Sequence, residues 1–386
     1  MIIKRKTNIF SYILCIVVFS FVLSTLLYAE NPEKQKRAET LKEIPIPIVT
    51  VQGTHYEVGY QLGTQLKDNF VTRINRMKEA KDWKKDKAEA ELFLAYSEKY
   101  MPEYVTEMKG IADAVGAEPV EVLMTICEEI GSRGYEYTAG CSDLIASNDV
   151  TEDGSVLVSH NNDTSVSSQD SVTIVHYKVK GEPEIIGVGY GGYGMSVGYN
   201  SAGISLTGNQ LNSNDMRVGV TRMLLVRKIL AAKRIGEAID AATLKERASN
   251  YNQVITDSNG EIYSIEGSAT DYAALYATDG YHVHTNHYVA PWMRKFEYDS
   301  TRISCSIVRY NRANRLLKNN VGKITVEKLK ELLSDHVNWP ESICRHGDRV
   351  KTTFSIIINL NTLTMWLAKG NPCEVKYNEY NLFSKK

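Results

Sequence analysis

The chain has 386 residues, with 45 Lys+Arg against 46 Asp+Glu, 43% apolar residues, 24% charged residues, 26 Gly and 9 Pro, a profile that excludes disorder and collagen-like structure. A formal net charge of −1 offers no basic footprint for a phosphate backbone, so no nucleic-acid partner is expected. Six cysteines are too few for a disulfide scaffold in a chain long enough to bury a large core.

Lys4, Arg5 and Lys6 precede an apolar run from Ile9 to Leu27, and the small Ala29 stands just before Glu30. This predicts a signal peptide, residues 1–29, and a secreted or periplasmic protein. If it stays uncut, residues 9–27 are long enough to anchor the chain, which is the one membrane contact expected. Cleavage removes Cys15 and three basic residues, leaving a mildly acidic protein with five cysteines. An odd number leaves at least one thiol free or paired between chains.

After a polar connector, Ile44 to Val51 alternates as a short edge strand does. Residues 55 to about 131 carry apolar side chains at helical spacing, with breaks expected at Pro102 and Gly110. From Cys141 the period changes to two, with strands expected within 144–147, 155–159, 172–179, 185–189, 196–199 and 204–207. Helical stretches near 218–232 and 235–248 follow. Strands near 261–266, 273–277 and 281–285 come after a Ser258-Asn259-Gly260 turn, and helices near 304–317 and 325–334 precede strands 354–360 and 364–368. Strand runs interrupted by helix pairs predict an α+β fold, two packed sheets covered by helices on both outer faces.

Gly140-Cys141 sits where helical sequence gives way to strands. Glycine opens backbone angles closed to other residues and leaves its carbonyl accessible to the neighbouring thiol, which suits self-cleavage. A cut there gives Cys141 an α-amine that titrates near neutrality, so one residue supplies both nucleophile and base. For the dipeptide alone, a buried structural cysteine is the competing reading.

The stretch from Gly140 to Asp163, G-C-S-D-L-I-A-S-N-D-V-T-E-D-G-S-V-L-V-S-H-N-N-D, resembles the start of the mature catalytic subunit in the isopenicillin N acyltransferase-like (acyl-coenzyme A:aminopenicillanic acid acyltransferase) family of N-terminal nucleophile (Ntn) hydrolases. Five further motifs match in order: H-Y-E-V-G-Y-Q-L-G (His55 to Gly63), Y-N-S-A-G-I-S-L-T-G-N (Tyr199 to Asn209), H-T-N-H-Y (His284 to Tyr288), S-I-C-R-H (Ser342 to His346) and G-N-P-C-E (Gly370 to Glu374). The resemblance implies a four-layer αββα sandwich of the Ntn-hydrolase type. It implies a precursor cut between Gly140 and Cys141 into a mainly helical segment, 30–140, and a catalytic segment, 141–386, with 44–140 and 141–386 folded as one domain. It also implies acyl transfer from amides or thioesters through Cys141, with no cofactor. Asn286 and Asn209 match the positions whose amides stabilise the oxyanion. Asp163 matches the carboxylate that orients the amine and the substrate, and Arg349 the basic residue that grips a substrate carboxylate. The implied partner is a small acylated amine or amino acid, and acyl-coenzyme A fits as a donor.

Other signals are set aside. Gly187 to Gly192 satisfies G-x-G-x-x-G, but strand-like sequence continues after it where a dinucleotide site requires a helix. His282, His284 and His287 lack an acidic or cysteine partner nearby, so no metal site is expected. Arg309 and Arg312 are alternative basic residues, expected on a helix surface. Two other functions compete: a cysteine peptidase with His287 as base and no self-cleavage, and a non-catalytic binder of small acylated ligands.

Overall fold

Thr54 and Glu57 open the first helix with a capping box, each side chain accepting from the other's backbone N–H, in the computed structural model, which describes residues 41–130, 140–300 and 303–383. The expected signal peptide and the stretch from Gly131 to Ala139 lie outside the described residues. Helices α1 (His55–Gln65), α2 (Lys67–Lys78), α3 (Trp83–Tyr100), α4 (Pro102–Val115) and α5 (Pro119–Met124) follow strand β1 (Ile48–Gly53). Pro102 starts α4 as expected, at a position that needs no N–H. Gly110 does not break it. It lies inside α4 because α1 crosses there: a Cβ on Gly110 would stand 2.3 Å from the Tyr56 carbonyl oxygen, and one on Gly59 1.9 Å from that of Glu107. The first matched motif therefore serves packing, with Gly59 admitting α4 and His55 bonded to Glu107 at 2.8 Å.

The remaining elements are β2 (Gly140–Ala146), β3 (Leu157–Ser165), β4 (Thr173–Val179), β5 (Ile185–Gly189), β6 (Val197–Asn200), β7 (Ile204–Asn209), α6 (Arg222–Leu230), α7 (Ile235–Ala242), β8 (Asn252–Asp257), β9 (Ile262–Gly267), β10 (Tyr272–Tyr276), β11 (Tyr281–His284), α8 (Ser304–Lys318), α9 (Val326–Leu333), β12 (Val350–Asn359), β13 (Thr364–Ala368) and β14 (Asn378–Tyr380). One sheet has the order β1-β4-β5-β6-β7-β8-β9-β10, the other β11-β2-β3-β12-β13-β14. β1 pairs with β4 in parallel, while every other ladder is antiparallel.

Three apolar layers hold these elements together. Val58, Leu62, Met108 and Leu225 of the N-terminal and α6 helices pack on Val51, Tyr177, Leu206 and Ile255 of the eight-stranded sheet. Ile174, Ile186, Val197 and Val254 of that sheet meet Ile145, Val158, Phe354 and Ile356 of the six-stranded one. Leu317, Leu329 and Leu333 of α8 and α9 cover Leu144, Leu157 and Ile357 on its far side. This is an αββα sandwich, and from Glu43 the chain forms one compact unit. Because both faces of the six-stranded sheet are covered, all seven residues of β2 are buried. Gly187 and Gly189 lie within β5 and the chain runs on to β6 without a helix, which leaves no dinucleotide fingerprint.

Candidate active site

β2 and β3 form a hairpin in which Gly140 faces Asp163, Cys141 faces Asn162 and Asp143 faces His160. Strand alternation puts Cys141, Asp143, His160 and Asn162 on the face toward the inner layer, with Gly140 and Asp163 on the opposite face. Cys141 is 6% exposed and lines a cavity of about 320 Å³, whose walls also include Asn162, Tyr190, Met223, Arg73 and Arg222. Arg222 is fixed by Glu128 at 2.7 Å and lies 3.7 Å over the Tyr251 ring, so the cavity offers both apolar surface and charge.

The backbone nitrogen of Cys141 donates to Asn286 Oδ1 at 2.8 Å. Asn286 lies two residues beyond β11, the neighbour of β2, which carries it to the start of that strand. Its Oδ1 also accepts from Arg309 Nη2 at 2.9 Å, and its Nδ2 donates to the Gln210 carbonyl at 3.2 Å. Asn209 ends β7, a strand of the large sheet that packs against β2. It is fully buried, and its Oδ1 is held by Asn252 Nδ2 at 2.9 Å and lies 3.0 Å from His284 Nδ1. Its Nδ2 has no partner among the described residues, which leaves a preorganised donor unused.

Asp163 is wholly buried. Its Oδ1 accepts from Thr352 Oγ1 at 2.7 Å, while its Oδ2 has no partner among the described residues. Burial pushes its carboxyl above the ordinary range, against the pull of Arg309 and Arg345. Gly140 is extended strand, with no left-handed backbone angle to explain its identity. What glycine supplies is room: a Cβ there would stand 3.0 Å from Asp163 Oδ2 and 3.1 Å from Arg345 Nη1.

Two expected placements are corrected. Arg349 is exposed, and its carbonyl accepts from the Val166 N–H while the cations near Gly140 belong to Arg309 and Arg345. Arg309, expected on a helix surface, is 1% exposed because α8 presents that face to β2. Its Nη1 donates to the Cys141 carbonyl and, at 2.9 Å, to Ser142 Oγ. Arg312 alone of that pair behaves as expected, bound to Asp335 on the flank. The imidazole beside Cys141 is not His287, whose Nδ1 lies 2.8 Å from Ser306 Oγ.

That imidazole is His160, which sequence reading passed over. Its Nδ1 lies 2.6 Å from Asp143 Oδ1, both side chains are fully buried, and its Nε2 lies 3.2 Å from Nδ2 of Asn162, the residue that faces Cys141 across the hairpin. Burial opposes its charge, yet Asp143 first and then Cys141 raise it to about 10. The signal was present in the sequence: a hairpin turning at Glu152-Asp153-Gly154 puts the Asp of G-C-S-D opposite the His of S-H-N-N-D.

An αββα sandwich with a Gly-Cys bond at the head of an inner strand defines the class of the Ntn hydrolases. The profile of the family described as "AAT: Acyl-coenzyme A:6-aminopenicillanic acid acyl-transferase" matches residues 150–374, and the chain belongs to that family of acyltransferases and amide hydrolases. It is 27% identical over 325 residues to the acyl-coenzyme A:6-aminopenicillanic-acid-acyltransferase 40 kDa form of Emericella nidulans, covering 81% of this chain and 88% of that one. It is 24% identical over 221 residues to the beta-alanyl-dopamine/carcinine hydrolase of Drosophila melanogaster, covering 50% of this chain and 56% of that one. Among solved structures, a mutant of the conjugated bile acid hydrolase from Clostridium perfringens superposes with a TM-score of 0.41 at 13% identity, covering 63% of this chain and 97% of that one.

Proposed function

We propose that the protein is a secreted, self-processing amidohydrolase or acyltransferase that transfers the acyl group of a small acylated amine or amino acid through a thioester on Cys141. The observation that carries this reading is the setting of the Cys141 nitrogen. It is the atom that cleavage turns into an α-amine, it is already bonded to Asn286 Oδ1, and the unpartnered Asp163 Oδ2 lies across the adjacent Gly140. An ammonium formed there keeps the Asn286 Oδ1 acceptor, with the Asp163 carboxylate on the neighbouring strand β3.

In the precursor, the Cys141 thiol attacks the Gly140 carbonyl carbon, the C–N bond breaks, and the thiol proton passes to the leaving nitrogen. Water then hydrolyses the thioester, separating 30–140 from 141–386. In the mature enzyme Cys141 attacks the substrate's acyl carbon, its α-amine carrying the proton from thiol to leaving amine. The Asn209 Nδ2 and the Asn286 amide are the donors for the oxyanion. Water or an incoming amine takes the acyl group, and acyl-coenzyme A is an alternative donor. The cavity's mixed walls suit an acyl chain beside a charged amine or carboxylate, the latter gripped by Arg222 or Arg73 rather than by Arg349.

Intact mass spectrometry of the wild type beside Cys141→Ala tests the reading. Two chains beginning near Glu30 and at Cys141 are expected from the wild type, and one inactive chain from the variant. A second reading, turnover by the uncut chain with Cys141 as a thiolate beside the His160 imidazolium, draws on the buried His160–Asp143 pair. Full activity in a wild type that stays a single chain would favour it and end the first.

A further inference from the structure

Outside the active site, four metal-ligating side chains converge from two segments. His336, Cys344 and His346 lie on the connection between α9 and β12, and Cys373 follows β13. Cys344 Sγ and Cys373 Sγ are 3.5 Å apart, and each lies 3.3 Å from His346 Nε2. All four ligand atoms lie within 4.8 Å of one another, so the wider separations are those to His336. A tetrahedral zinc with Zn–S near 2.3 Å and Zn–N near 2.0–2.1 Å sets sulfurs about 3.8 Å apart and sulfur and nitrogen about 3.5 Å apart. The Cys344, His346 and Cys373 atoms match this within a few tenths of an ångström. A side-chain rotation of the exposed His336 closes the rest.

The hydrogen-bond pattern points the same way. His346 Nε2 has a single lone pair when neutral, yet two thiols face it, and Cys344 Sγ also receives Asn371 Nδ2 at 3.4 Å. Two thiolates and two imidazole nitrogens around a common cation account for this convergence of sulfur and nitrogen on one point. The other nitrogen of His346, Nδ1, lies 3.6 Å from Glu374 Oε1, which is the carboxylate that commonly orients a metal-bound histidine. The Trp339 ring stacks on His346 at 4.2 Å.

We propose that His336, Cys344, His346 and Cys373 form a structural zinc site of the Cys2His2 type. Binding deprotonates both thiols, whose protons go to solvent. The site's purpose follows from what stands between its ligands. Arg345, flanked by Cys344 and His346, reaches Gly140, and its backbone N–H donates to Thr352 Oγ1 at 2.9 Å, the hydroxyl that holds Asp163. Asn371, two residues before Cys373, donates to the Arg345 carbonyl at 2.7 Å. The ion would thus clamp the loop that delivers Arg345 and Thr352 to the scissile bond, closing the site with ligands that carry no open position.

The test is cobalt(II) and zinc binding by the full chain, purified under reduction and without chelator. The wild type is expected to retain about one zinc per chain and, with cobalt, to show thiolate charge-transfer and the intense visible bands of a tetrahedral site. Cys373→Ser is expected to lose both, and Cys305→Ser to keep both. His336→Ala, whose exposed side chain the fold does not need, is expected to weaken cobalt binding about tenfold or more. A reduced wild type that takes up neither metal overturns the proposal, and so does peptide mapping that finds a Cys344–Cys373 disulfide in protein whose reduced form binds none. Pale, octahedral cobalt spectra, or unchanged binding in Cys373→Ser, overturn it as well.

Discussion

Replacing Asp143 by Asn changes one oxygen at the centre of the inner layer and tests whether the His160–Asp143 pair is ionic. In the folded chain His160 is raised from 6.5 to about 10, with burial opposing its charge and Asp143 its strongest support. A histidine raised in the folded state stabilises fully below its unfolded pKa and loses that contribution as pH rises through the folded one. The whole shift, of which Asp143 supplies the largest part and Cys141 the rest, corresponds to on the order of 5 kcal/mol below about pH 6.5, about 4 kcal/mol at pH 7, and almost nothing above pH 10. Removing one partner of a buried ion pair typically costs about 3–5 kcal/mol, which agrees. In Cys141→Ala/Asp143→Asn both groups that support the charge are gone and only burial acts on the ring, so His160 becomes neutral. Urea unfolding of Cys141→Ala against Cys141→Ala/Asp143→Asn avoids any processing and should give a loss of about 3–4 kcal/mol at pH 7 that shrinks steadily toward pH 10. A loss under about 1 kcal/mol at pH 7, or one that stays constant across that window, would refute an ionised pair.

Asn286→Ala removes a proposed oxyanion donor together with the acceptor that holds the Cys141 nitrogen and Arg309, and turnover should fall by about 100- to 1000-fold in steady-state kinetics with any amide substrate the wild type cleaves. Arg345→Ala should slow chain cleavage, read by mass spectrometry over time, whereas Arg349→Ala should leave cleavage unchanged and stability within about 0.5 kcal/mol of wild type. Gly59→Ala forces α1 from α4 and should cost about 1–3 kcal/mol or more in thermal unfolding. The control Gly236→Ala, whose added methyl meets nothing within 4 Å, should be neutral or gain up to about 1 kcal/mol.

Much of this architecture is legible because helix and strand periods differ and both leave a trace in an unaligned sequence. The switch at Cys141 from helical spacing to alternation marks the start of β2, whereas the caps at Thr54 and Thr325 emerge only in the structure. Gly110 reads as a break because a glycine within a helix is equally what a close crossing demands, and only the position of α1 distinguishes the two. Gly140 reads as a site of backbone freedom for the same reason, when the space beside Asp163 and Arg345 is what requires it.

The sequence by itself determined the class of fold, and its resemblance to a known family pointed to Cys141 as nucleophile candidate with Asp163, Asn209 and Asn286 around it, since each sits in a short run matching a family motif. Long-range placement of charge was decided by tertiary structure alone. Arg309 and Arg349 are equally plausible guanidinium groups in one dimension, but α8 turns Arg309 into the dry side of β2 while the loop before β12 leaves Arg349 in water. His160 acquires its partner only when the hairpin register sets it opposite Asp143, and Cys344 and His346 meet Cys373 only because β12 and β13 bring together segments 27 residues or more apart in sequence. Local pattern is fixed by backbone periodicity and steric preference, which act over a few residues. Ion pairs and metal geometry depend on distances of a few ångströms between remote segments, and packing is what fixes those.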